Sequence, residues 1–213
     1  MQWKGVIFVS LLAVIGAGVP AEADACMRMK PRRVQKVDHK LQNVNRAEHL
    51  LAKGNGKGAA KIARRQFQHF TAATGEPDVG KALFNRAQRT IALATVRADG
   101  ALDLGKGMRG KTQQEQAMNL AWATAVLEVQ AAAEPDNMLL RTYLAEALMH
   151  QPGGEAQAAA ILGQLANDDL MPTARGYALL ATAQQRLGDV SGRDLSLQRC
   201  RDLGEGDDVC SVA

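Results

Sequence analysis

The sequence predicts an all-α fold of stacked antiparallel helix pairs. Apolar residues recur at three- and four-residue steps along most of the chain, the period of an amphipathic helix. Clusters of glycine and proline fall between those stretches, where helices are expected to stop and start. Alanine is abundant and aromatics make up only 4% of the 213 residues, so helix axes can approach closely.

The elements follow in order. Val37, Leu41, Val44 and Leu51 mark a first helix, and Ala60, Ala63, Phe67 and Phe70 a second. Val79, Leu83, Ala87, Ile91, Ala94 and Ala98 mark a third. Its β-branched stretch at residues 90–96 also suits a strand, but the longer helical period around it favours helix. Met118, Trp122, Ala125, Val129 and Ala132 trace a long fourth helix, and Leu140, Leu144 and Ala147 a fifth. Ala158, Leu162 and Leu165 lie on a sixth, Tyr177, Leu180, Gln184 and Leu187 on a seventh, and Val190, Leu197 and Cys200 on an eighth. Between them stand Gly54-Asn55-Gly56, Gly75-Glu76-Pro77, Pro135-Asp136, Pro152-Gly153-Gly154, Pro172 and Gly188-Asp189.

Ahead of the helices lies a segment expected to be an address. Lys4 is followed by 14 uncharged, mostly apolar residues at 6–19, then Pro20, Ala21, Glu22 and Ala23. A charged start, a short apolar core and an Ala-x-Ala end resemble a secretory signal peptide cut after Ala23. No apolar run reaches the length of a membrane span. The expected organisation is a signal peptide at 1–23, a basic segment at 24–36, the helical domain at 37–203 and a tail at 204–213. Export to the periplasm is the expected localisation. Lipid anchoring through Cys26 is the alternative, although Ala23, Asp24 and Ala25 fit a lipoprotein signal poorly. Three cysteines are too few for a disulfide scaffold. Cys200 and Cys210 are close enough to join through a short loop, and three pairings are open.

Tyr143 and Tyr177 stand 34 residues apart, and the pairs Ala147 and Ala181, Gly154 and Gly188 share that offset. With Leu180-Ala181, Gly188-Asp189, Leu197, the Gly54 to Ala59 spacing and the Glu134-Pro135-Asp136-Asn137 turn, the chain resembles the tetratricopeptide repeat family. The resemblance is clearest over residues 136–203. A long loop at 99–111 replaces the family's tight turn, and Arg193 stands where a small residue is usual. The resemblance implies about four helix pairs wound into a right-handed superhelix, an α-solenoid, because a single pair cannot bury its own apolar face. It also implies a partner groove on the first helices of successive pairs. In that register Arg141, Leu144, Arg175, Gln185 and Arg186 are the candidate partner-binding residues. Some family members clamp a peptide carboxylate with Lys and Asn. Leu144, Leu148, Ala178 and Thr182 stand at those positions, which speaks against that mode.

Charge is sorted by half. Residues 24–97 hold 16 Lys and Arg against 5 Asp and Glu, whereas residues 98–213 hold 9 against 16. The basic half suits an anionic envelope surface, or the acidic half of a second copy through head-to-tail self-association. No aromatic residues interleave its cations to stack bases, so nucleic acid is not expected as a partner.

Gly105, Gly110, Lys111 and Thr112 spell a phosphate-loop pattern. Such a loop follows a buried strand, and Ala101-Leu102-Asp103-Leu104 is too short and too polar for one. A milder reading keeps Lys106, Arg109 and Lys111 as an anion-binding loop ahead of a helix N-terminus. His39, His49, His69 and His150 show no metal spacing, there is no Gly-x-Ser-x-Gly elbow, and no cofactor is expected. The leading expectation is an exported, non-catalytic adaptor that binds a protein or peptide of the cell envelope or of a secretion or assembly machine. The alternative is an envelope-binding module using its basic half on anionic lipid or polysaccharide. A phosphate-loop nucleotide-binding enzyme is the distant third.

Overall fold

A computed structural model describes residues 38–66, 81–105, 107–204 and 209–210. Their regular structure is helical, with no strand among the described residues: α1 (His39–Ala52), α2 (Gly56–Arg65), α3 (Ala82–Val96), α4 (Gln113–Ala133), α5 (Met138–Leu148), α6 (Glu155–Asn167), α7 (Ala174–Arg186) and α8 (Val190–Asp202). Each corresponds to one stretch of helical periodicity. Residues 90–96 are helix, and the hydroxyls of Thr90 and Thr95 donate to the carbonyls of Arg86 and Ile91, four residues back. That satisfies two polar groups that would otherwise count against burial. Phe67, Phe70 and Val79, expected on helices, and the 1–23, 24–36 and Cys26 assignments lie outside the described residues.

Helix starts are set by local chemistry. Asp38, Asn55, Thr112, Asn137, Thr173 and Asp189 each accept a hydrogen bond from a backbone N–H of the first turn that follows. These are the short polar residues that cap helix N-termini. At α4 the cap is reciprocal: Thr112 accepts from the Glu115 N–H, and the Glu115 carboxylate accepts from the Thr112 N–H. Pro135 and Pro172 stand in the turns ahead of Asn137 and Thr173 instead of opening the helices themselves.

Every helix packs on the next in sequence, and α1, α3, α5 and α7 also pack on one another in series. Successive even-numbered helices make no such contacts among the described residues. The apolar interior has two parts. One gathers Val44, Leu51, Ile91, Leu93, Trp122 and Leu127 around the alanines of α2 and α3. The other gathers Leu148, Leu162, Tyr177, Leu180 and Cys200. Leu144, half-buried on α5, packs against both.

The long connection between α3 and α4 is ordered by what lies beneath it. The Asn119 amide, fully buried on α4, donates to the carbonyls of Gly100 (2.7 Å) and Leu102 (2.8 Å). Leu102 and Leu104 are buried. Gly100 (φ +76°) and Gly110 (φ +66°) permit a backbone approach that no side chain could share. A Cβ on Gly100 would sit 2.3 Å from the Gln116 carbonyl oxygen, and one on Gly110 would sit 2.6 Å from that of Gly100.

Cys200 of α8 is bonded to Cys210, ten residues on, and both are buried. Closing a loop of that size restricts the unfolded chain by about 2 to 3 kcal/mol. Adding a reductant is therefore expected to lower the denaturation midpoint of the wild type. A Cys200→Ala/Cys210→Ala variant should sit near the reduced value and be insensitive to the reductant, a pair of melts that checks the bond.

Candidate functional site

The helices that pack in series, α1, α3 and α5, leave a groove of about 360 Å³ between them. Its floor is apolar: Leu51, Leu93 and Leu140. Its walls carry charge from α3, because Arg86, Thr90, Leu93 and Arg97 repeat at helical spacing and Arg89 stands beside them. Tyr143 and Asn137 enter from the α5 side, and Leu139, 38% exposed, stands at the rim.

The three arginines are in different states. Arg86 is fixed by Glu48 of α1 through two bonds, at 3.0 and 2.5 Å, and by Asn45 at 2.8 Å. Arg97 is fixed by Glu146 of α5, at 2.9 and 3.1 Å. Arg89 has no hydrogen bond or ion pair among the described residues. The hydroxyl of Tyr143 donates to no group among them either. Burial raises the pKa of this phenol above its ordinary value, an effect that the nearby arginines partly offset. It is a neutral O–H donor throughout the physiological range. A free guanidinium and a free hydroxyl above a leucine floor can hold a carboxylate whose neighbouring carbon chain is apolar.

Behind the groove, Glu146 is 1% exposed and accepts from two arginines of two other helices. Arg97, the C-cap residue of α3, reaches both carboxylate oxygens, whereas Arg175 of α7 reaches Oε1 alone, at 3.1 and 2.6 Å. Burial by itself would push the Glu146 carboxyl up, but the two guanidinium groups outweigh it and hold the pKa below the ordinary carboxylate value. The ion triad thus joins α3, α5 and α7.

None of the five groove residues expected from the repeat register lines this groove. Arg175 is engaged with Glu146. Arg141 donates to Gln164 of α6 at 2.7 Å. Leu144 belongs to the interior. Arg186 donates to the Met149 carbonyl at 3.2 Å and stands 3.6 Å from Glu155, and Gln185 is exposed on α7. Arg89, Arg97 and Glu146 were not singled out by sequence reasoning, and Tyr143 was named only as a register position. For Arg89 and Arg97 the signal available was the run of cations along one face of α3 and its end.

In the loop, the backbone N–H groups of Lys111 and Thr112 both donate to Glu115, at 2.9 and 3.3 Å. The chain's own carboxylate takes the place at which a phosphate would meet those donors. Arg109 and Lys111 are exposed, and Lys106 lies outside the described residues. Gly110 of the pattern serves the close backbone packing against Gly100 and Ala101 over Asn119, whereas a Cβ on Gly105 would meet only the end of the Arg64 side chain, at 3.9 Å. No group of three or more His, Cys, Asp and Glu among the described residues could hold a metal ion, and no helix there is long and apolar enough to cross a membrane. Comparison of the chain with family models, with curated proteins and with solved structures finds no match.

Proposed function

We propose that this chain is an exported, non-catalytic adaptor of TPR-like solenoid build, which holds a peptide segment of an envelope or secretion-machine partner in the groove between α1, α3 and α5. The serial packing of α1, α3, α5 and α7 supports the solenoid reading, since repeat arrays are built from nearest-neighbour layers. The Cys200–Cys210 bond supports an oxidising compartment. The single observation that carries the binding reading is the unengaged Arg89 guanidinium beside the Tyr143 hydroxyl above Leu51, Leu93 and Leu140. A segment with an acidic residue next to aliphatic ones would meet all of these groups.

A photo-crosslinking residue at Leu139, on the groove rim, tests this in the native envelope. A second at Ala156, exposed on α6, is the control. One partner should be captured from position 139 and not from 156. Arg89→Ala should weaken its binding by about tenfold to a hundredfold, the cost of one charge-assisted hydrogen bond. Equal capture at both positions, or capture unaffected by Arg89→Ala, would refute the groove as the binding surface.

A further inference from the structure

The outward face of α2 carries charge that nothing in the described structure neutralises. Lys57, Lys61 and Arg65 follow at four-residue steps and are exposed, and Lys53, at the end of α1, is exposed beside them. The first three form one row along the helix, about 12 Å long. The opposite side of α2 is Ala59, Ala60 and Ala63, all buried, so the helix is pressed close to its neighbours and only its basic side faces out. Among the described residues, none of the four basic side chains has a hydrogen bond or an ion pair.

Many arginines of the later helices are paired instead. From α3 to α8, Arg86, Arg97, Arg175, Arg186, Arg193 and Arg199 all have carboxylate partners. Helix α2 contains no acidic residue. The two acids nearest in sequence on α1 are already engaged: Asp38 caps its own helix and Glu48 holds Arg86. An unpaired row of this kind raises the local potential and draws a polyanion.

We infer that the row Lys57, Lys61, Arg65, with Lys53, is a docking surface for an anionic lipid bilayer, separate from the peptide groove. A single polyanionic strand is held in a walled channel with aromatic residues on which its bases stack. Residues 53–65 contain no aromatic, and the groove between α1, α3 and α5 includes none of the four cations. Three of the four are lysines, flexible point charges whose stems reach from a helix surface to a plane of lipid phosphates.

The test is partitioning of the full chain onto vesicles of phosphatidylcholine alone, and of phosphatidylcholine with one third phosphatidylglycerol. The readout is the difference between variants, so other basic segments of the chain contribute equally to both sides. The Lys57→Gln/Lys61→Gln/Arg65→Gln variant should bind the anionic vesicles about 100-fold more weakly at low salt than the wild type, with binding to neutral vesicles unchanged. Lys57→Arg/Lys61→Arg should retain binding, and Arg201→Gln, an exposed cation on α8, should leave it unaltered. Raising the ionic strength should erase the difference between wild type and the glutamine variant. All of these residues are exposed, so a helical circular dichroism spectrum like that of the wild type should accompany each variant. Equal binding of wild type and glutamine variant to the anionic vesicles would overturn the inference. So would a single-stranded oligonucleotide that displaces the protein from the vesicles and itself depends on the three cations.

Discussion

Replacing Arg97 by methionine is expected to lower the unfolding free energy by about 3 kcal/mol, read from urea denaturation at neutral pH. The reason is the geometry around Glu146. That carboxylate is almost wholly buried, and Oε2 has Arg97 alone as a charged partner. Without Arg97 one charged oxygen stays in the interior with nothing to meet it, while Arg175 still holds Oε1. Arg175→Ala should cost less, about 1 kcal/mol, because Arg97 continues to cover both oxygens and the Arg175 side chain is half exposed. Adding Glu146→Gln to Arg97→Met should recover part of the loss, since the orphaned charge is then gone, and a double-mutant cycle would measure the coupling. The same carboxyl sets a pH dependence. Its folded pKa is depressed, so its contribution is fully present above the unfolded value of about 4.3 and is lost as pH falls through the folded value. The wild type should therefore lose stability steeply in acid, and Glu146→Gln should show a shallower slope from a lower plateau. Identical slopes would remove this group as the cause.

Gly100→Ala is expected to be as damaging, at about 3 to 4 kcal/mol. The new methyl would lie 2.3 Å from the Gln116 carbonyl oxygen in a backbone conformation that disfavours any Cβ. Either α4 or the loop must move, and both are tied together through Asn119. Gly107 is the internal control: it also has a positive φ, but a Cβ there would meet nothing within 4 Å. Gly107→Ala should cost about 1 kcal/mol, the conformational penalty alone. Lys111→Ser should change stability by less than about 0.5 kcal/mol. A Gly100→Ala protein as stable as the Gly107→Ala protein would mean that the close packing described above is wrong.

The helices were legible because their signals are local. Apolar spacing, Asp, Asn and Thr caps and the turn glycines all act within a few residues, and the expected helices match α1 to α8 in order and type. The candidate groove was less legible. A family register assigns faces by position, and it pointed to Arg141 and Arg175. Whether an arginine is available depends on what it meets across helices: Gln164 for Arg141, Glu146 for Arg175, nothing described for Arg89. Residues 45, 48, 86, 89, 97, 143, 146 and 175 are brought together by four helices, and no local pattern encodes that meeting. The phosphate-like loop also acquires a packing role that its spacing does not spell. Its Gly110 reads as phosphate-binding in one dimension and as backbone packing over Asn119 in three.

Helices that each pack on the next in sequence are expected to open from whichever end is least held. The last helix, α8, packs along α7 and reaches α6 through Arg199, which donates to the Ala166 carbonyl, and Leu187, Val190, Leu195 and Leu203 are more than half exposed along that end. Amide hydrogens there should exchange ahead of those in α3 and α5, which have neighbours on both sides. The covalent bond between Cys200 and buried Cys210 fastens the chain after α8 to that end, and a reductant is expected to speed exchange there first.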